Sequence, residues 1–172
     1  METQGVCVDE NVLSLNFILA LTFISMLLII IVSDFSYMII PDEILIFFGV
    51  LLLIEIFVLS GIRTLFITIL NGFIAFVFMF LLKLFGDFIF KRESLGGGDI
   101  KLMALFGVVL GWENAIVSIF LASLIGLPIS LILLIRNKDN VVPFGPFLSI
   151  AAIILFLTSF DILNFFQVFT NI

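Results

Sequence analysis

Any chemistry in this chain has to come from a handful of acids. Of its 172 residues, 63% are apolar, only 12% are charged, and none is histidine. Without imidazole there is neither the commonest zinc ligand nor the usual general base of serine and cysteine hydrolases. Cys7 is the sole cysteine, which rules out an internal disulfide and a four-cysteine zinc site. No metal is therefore expected, and carboxylates, Lys, Tyr, Ser and the backbone remain. An ionisable group within a long apolar run is costly to keep and marks a functional candidate. The candidates are Asp34, Asp42, Glu43, Glu55, Asp87, Asp99 and Asp161.

Asp34 and Asp99 stand out by position. Asp34 closes one apolar run and Asp99 opens another, with two crossings between them. Both should then lie at the same face and at similar depth, where two helix ends packed side by side would present both carboxylates to one water. Two adjacent carboxylates cannot both ionise easily, so they share a proton. The ionised partner takes a proton from water while the protonated one donates to a peptide carbonyl. That is general acid–base hydrolysis without a covalent intermediate, and the pair titrates as a unit. Ahead of Asp99 stand Gly96, Gly97 and Gly98, and Lys101 follows. Glycine permits positive φ and close backbone approach, so a substrate strand could lie against this loop. After Asp34 the chain reaches Pro41, which interrupts it before the next helix, and then Asp42.

The elements that must position these acids are membrane helices. Crossing the hydrocarbon takes about 20 mostly apolar residues. Segments 11–33, 43–60, 64–90, 99–111, 115–135 and 143–166 are the candidates, with a break at Gly61 and a glycine-rich loop before Asp99. The expected fold is all-α, a single polytopic membrane domain over 1–172 with about six transmembrane helices. Segment 99–111 is short, so one end should sit in a wet cavity below the membrane surface. Lys91, Arg92, Lys101, Arg136 and Lys138 fall on one side, against Arg63 and an acidic N-terminus on the other. The positive-inside rule puts the first group in the cytoplasm and both termini outside. The N-terminus, with Glu2, Asp9 and Glu10, lacks the positive start of a signal peptide. The formal charge of −6, with seven Lys and Arg in all, gives no clustered surface for nucleic acid.

Plainer roles compete for these residues. Asp99 could be a helix N-cap, and so could Asp42, the reserve catalytic candidate. Glu43 suits the first turn of a helix. Glu55 and Asp161 lie away from the proposed site, and a hydrogen bond to another helix is the expectation for Glu55. Asp87 is placed to pair with Lys83. Lys101 reads as an interfacial cation near Asp99, Trp112 as an interfacial anchor, and Gly126 with Pro128 as a kink.

Gly96-x-Gly98-Asp99 resembles the GxGD signature of intramembrane aspartyl proteases. The longer run from Gly96 through Asp99 and Lys101 to Gly107 is similar to the second active-site motif of the type IV prepilin peptidases. Asp34 with Ile40-Pro41-Asp42 is similar to their first motif, and Pro143-Phe144-Gly145-Pro146-Phe147 resembles a late motif of the bacterial branch. The three matches come in the family's order and cover most of the chain. The resemblance implies a six-helix membrane aspartyl endopeptidase with Asp34 and Asp99 as its catalytic pair. It would need no cofactor and would remove the basic leader from single-span type IV prepilin or pseudopilin precursors at the cytoplasmic face of the cell membrane. Larger bacterial members carry an added region with paired cysteines and N-methylate the new terminus. Here helix 1 begins about ten residues in and there is one cysteine, so a minimal enzyme that cleaves is expected, as in archaeal preflagellin and tight-adherence systems. The alternative reading is a small ion- or proton-coupled transporter using the same acids. Such proteins often show internal repeats and midplane sites, whereas no repeat is visible here and the two acids lie toward one face.

Overall fold

The computed structural model describes residues 10–91, 95–136 and 143–158. They form five helices: α1 (Glu10–Tyr37), α2 (Asp42–Phe90), α3 (Gly97–Leu110), α4 (Trp112–Arg136) and α5 (Gly145–Thr158). Helices are the expected outcome, because backbone polar groups in hydrocarbon must be satisfied within their own segment. Three stretches are long and apolar enough to cross a membrane, namely Phe17–Tyr37, Asp42–Ile89 and Trp112–Ile129. Their apolar residues face outward as well as inward: Phe17, Phe66 and Phe88 are 69%, 68% and 84% exposed. Such surfaces suit lipid, and the chain is a membrane protein.

The expected segments 43–60 and 64–90 are the two arms of α2, which breaks at Gly61 (φ 75°, ψ 179°). Its 49 residues would stretch about 74 Å if straight, more than twice the roughly 30 Å hydrocarbon thickness. The packing shows that it does not run straight. A Cβ on Gly49 would lie 3.1 Å from Leu105 Cδ2, and one on Gly72 would lie 2.6 Å from Val108 Cγ2. Positions 49 and 72 would be about 35 Å apart along a straight helix, yet they meet neighbouring turns of α3. The two arms of α2 therefore fold back on each other at Gly61. That residue holds a positive φ which other residues adopt only with strain.

The other boundaries shift in instructive ways. α1 continues past residue 33 to Tyr37, so Asp34 sits inside its last turn rather than beyond its end. The Met38 N–H bonds the Asp34 carbonyl at 2.9 Å, and Met38, at φ 53°, ends the helix. α3 starts at Gly97 instead of Asp99, and α4 follows it after the single residue Gly111. α5 begins at Gly145, and residues 159–166 of the expected last segment, with Asp161, fall outside the described residues.

The core runs along one stripe of α1. Phe23, Met26, Leu27 and Ile30 are fully buried, as are Leu102, Met103 and Phe106 of α3. The Phe23 and Phe106 rings meet edge to face with centroids 6.0 Å apart. Lipid is as apolar as these side chains, so close packing, not exclusion of water, holds the helices together. Small residues permit it. A Cβ on Gly107 would lie 2.6 Å from the Asn71 carbonyl oxygen and 2.7 Å from Ala75 Cβ. Gly126, expected as a kink, faces the Phe147 ring of α5 at 3.2 Å from where its Cβ would be.

Candidate active site

Asp34 and Asp99 each extend a buried apolar stripe to its end. On α1 the stripe runs Phe23, Leu27, Ile30, Asp34, and on α3 it runs Asp99, Leu102, Met103, Phe106. The two aspartates are 5% and 7% exposed. These spacings of three and four residues keep each acid on the face its helix turns inward. Asp34 is near the C-terminal end of α1 and Asp99 in the first turn of α3, so both acids lie at the same end of the bundle. They are close enough for the charge of Asp34 to act on Asp99.

Backbone N–H groups at two helix starts hold the carboxylates. The Gly145 N–H, at the first residue of α5, donates to the Asp34 carboxylate. The Gly96 N–H donates to Asp99. Gly96 is the N-cap of α3 and Asp99 its third helical residue, so the N-cap role expected for Asp99 belongs to Gly96. Asp99 instead reaches back to the N-cap N–H, as the acid of a capping box does. A helix start also carries partial positive charge, which suits a carboxylate.

Ile40 binds this arrangement together. A Cβ on Gly98 would lie 2.8 Å from Ile40 Cβ, and one on Gly145 would lie 3.2 Å from Ile40 Cδ1 and collide with Asp34 Oδ2. Any side chain at either glycine would push the helix starts away from the aspartates. Ile40 stood only within the Ile40-Pro41-Asp42 motif, and nothing in the sequence tied it to Gly98 or Gly145. Gly145 stood in a recognised motif, but nothing in the sequence tied it to Asp34.

The remaining expected site residues are placed as follows. Gly96 and Gly97 are exposed, and Gly97 has open space around it. Pro41 is the N-cap of α2, which makes Asp42 the first helical residue and not the cap. Asp42 pairs with Lys101 at 2.5 Å, with both side chains about half exposed. Glu43 lies beside it in the first turn. Glu55 is remote from the aspartates and accepts a hydrogen bond from Thr22 Oγ1 at 2.7 Å, the interhelical role expected of it. Arg92 and Lys138, counted on the cytoplasmic side, fall outside the described residues. Two buried carboxylates in each other's field can hold one proton between them, one accepting from water while the other donates.

The type IV leader peptidase family model matches residues 21–131, a stretch containing both aspartates. A prepilin leader peptidase/N-methyltransferase of Bacillus subtilis is 30% identical over 157 residues, covering 90% of this chain and 61% of the relative. One from Pectobacterium carotovorum is 33% identical over 141 residues, covering 78% of this chain and 49% of the relative. Another, from Aeromonas hydrophila, is 44% identical over 70 residues, covering 38% of this chain and 24% of the relative. The chain thus spans less than two thirds of the length of each of these relatives. No solved structure matches it. With the family model covering most of the sequence, the chain belongs to the type IV leader peptidase family.

Proposed function

We propose that this chain is a membrane aspartyl endopeptidase that removes the leader from prepilin-like precursors. The observation that carries this is the meeting of Asp34 and Asp99, two buried carboxylates from separate helices, at one end of the bundle. One aspartate draws the proton from the attacking water while the other protonates the peptide oxygen. As the tetrahedral intermediate collapses, the protons return through the same pair. The N–H groups of Gly145 and Gly96 fix the two carboxylates in place, so that the water and the peptide meet a preset geometry. Gly96 and Gly97 leave an open strip of backbone beside Asp99 along which an extended substrate can lie.

The substrate is a single-span precursor whose apolar helix packs among the enzyme's own helices. The cut falls at the cytoplasmic membrane boundary, where water reaches the aspartates. Supporting this orientation, Lys91 and Lys101 lie on the segments flanking the loop before Asp99, while Arg63 lies next to the reversal at Gly61. With each arm of α2 taken as one crossing, the chain crosses the bilayer about six times. The relatives are named as both peptidases and methyltransferases. The two aspartates account for the first activity.

The test is cleavage of a purified type IV prepilin by the detergent-solubilised protein, read by gel and mass spectrometry. Asp34→Asn and Asp99→Asn are run in parallel, with folding checked for each. The expected result is one cut at the leader boundary, made by the wild type and lost in both variants. Cleavage that survives Asp34→Asn would transfer that role to Asp42. Folded wild-type protein that cuts no pilin-like precursor would overturn the proposal.

A further inference from the structure

The Asp42–Lys101 ion pair lies where the fold most needs a tie. Asp42 begins α2 just after the turn that follows Asp34, and Lys101 sits two residues beyond Asp99 on α3. The turn between α1 and α2 is stiff. Ser33 Oγ donates to the Ile39 carbonyl at 3.1 Å, Met38 takes the left-handed conformation, and Pro41 follows. A displacement of the start of α2 is therefore passed to Asp34, and a displacement of the first turn of α3 carries Asp99 with it.

Apolar packing does not close this corner. Asp42, Leu45, Ile46, Lys101 and Leu105 line an open cavity of about 280 Å³ between the two helices. Ile40 against Gly98 limits how closely the helix starts approach, since a Cβ added at Gly98 would lie only 2.8 Å from Ile40 Cβ. That contact sets a lower limit on the separation. The close packing of α2 on α3 at Gly49, Gly72 and Gly107 lies further along the helices, and beside the cavity the ion pair is the tie that sets an upper limit at their starts. Being half exposed, it adds little to overall stability, so its effect is on geometry.

We propose that Asp42 and Lys101 are positioning residues, an electrostatic strut that works against the Ile40–Gly98 stop to fix the separation of Asp34 and Asp99. The effect on cleavage rests on the peptidase reading, but the strut itself can be measured without it. In a Cys7→Ser background, nitroxide labels are placed at Tyr37→Cys, which is 76% exposed, and Gly97→Cys, which has open space. The distance between them is read by pulsed electron paramagnetic resonance in Asp42→Asn, Lys101→Gln and the charge-swapped Asp42→Lys/Lys101→Asp protein. A narrow distribution is expected with the pair intact, broadened by either single change and narrowed again by the swap. Unlabelled proteins carrying the same substitutions are assayed on prepilin. Each single change should lower kcat about tenfold or more with KM nearly unchanged, as misplaced catalytic groups do, and the swap should recover most of the loss. Distances indifferent to Asp42→Asn and Lys101→Gln would overturn the strut. So would a rise in KM alone, which would make the two side chains substrate contacts. A strut confirmed by distance in a protein that cuts no precursor would leave this inference standing and defeat the peptidase reading.

Discussion

Two regions of the bundle enclose a carboxylate, buried at Asp34 and Asp99 and partly buried at Glu55, and they differ in ways that matter for chemistry. Near the starts of α3 and α5, Asp34 and Asp99 feel each other's charge, and each accepts a hydrogen bond from a backbone N–H. Along α1 and the first arm of α2, Glu55 meets one hydroxyl, Thr22, and its second oxygen is buried with no partner. Thr22 is about 18 Å along α1 from Asp34. Partial burial and one hydroxyl partner do not give Glu55 the setting that the proposed mechanism asks of an acid. What distinguishes the first region is that helix ends converge there. Helix ends expose unpaired N–H groups and lie where water can enter. Mid-helix, the backbone is already satisfied and a carboxylate finds only side chains.

Neutralising each acid in turn tests this contrast with the largest effect. Asp34→Asn and Asp99→Asn should each lower kcat by about 10²–10⁴-fold, the range for loss of a general acid or base. Glu55→Gln should leave kcat within about twofold, as expected for a group outside the reacting constellation. A Glu55→Gln enzyme as inactive as the aspartate variants, yet folded, would erase the distinction.

A smaller effect should follow from disturbing the N–H that holds Asp34. Gly145→Ala places a methyl group against Asp34 Oδ2 and against Ile40. The carboxylate or the start of α5 must move, and a cut of about tenfold in kcat is expected from such misplacement. A matched change at Gly49, away from the aspartates, where a Cβ would meet only the flexible Leu105 side chain, tests whether the effect belongs to the site or to glycine loss in general. Gly49→Ala should keep most of the activity.

The pH dependence sharpens the same point. In the proposed mechanism the two aspartates share one proton, so catalysis requires one ionised and one neutral. The rate should fall toward low pH, where both are protonated and the base is lost. It should also fall toward high pH, where both are ionised and the acid is lost. A cleavage rate flat from the acid limb upward would show that no protonated carboxyl is needed. The smallest effect belongs to Thr22→Val, which removes the hydroxyl partner of Glu55. A loss of about 1 kcal/mol, typical of interhelical hydrogen bonds in membranes, should appear as a modest drop in thermal midpoint with cleavage intact.

How far the sequence could be read depended on the kind of signal. Uncharged apolar runs marked the helices because the bilayer imposes a length and forbids unpaired backbone. Gly61 marked the reversal of α2 because few other residues accept its backbone angles. Asp34 and Asp99 were conspicuous because charge is rare in such runs. The inward faces could not be read, because these helices are apolar all round and periodicity gives no direction. Ile40 and Phe23 look in sequence like the isoleucines and phenylalanines that face lipid.

The sequence by itself determined that this is an apolar helical membrane protein with a few acids in costly places, since composition and run length decide what a bilayer accepts. It could not determine which backbone groups hold those acids. Gly96 reaches Asp99 locally, three residues back at the same helix start. Gly145 reaches Asp34 and Asp42 reaches Lys101 only after α2 has folded back and the starts of α3 and α5 have packed beside the end of α1. These are contacts between residues far apart in the chain. They depend on close packing of one helix against another, which no local pattern of residues encodes.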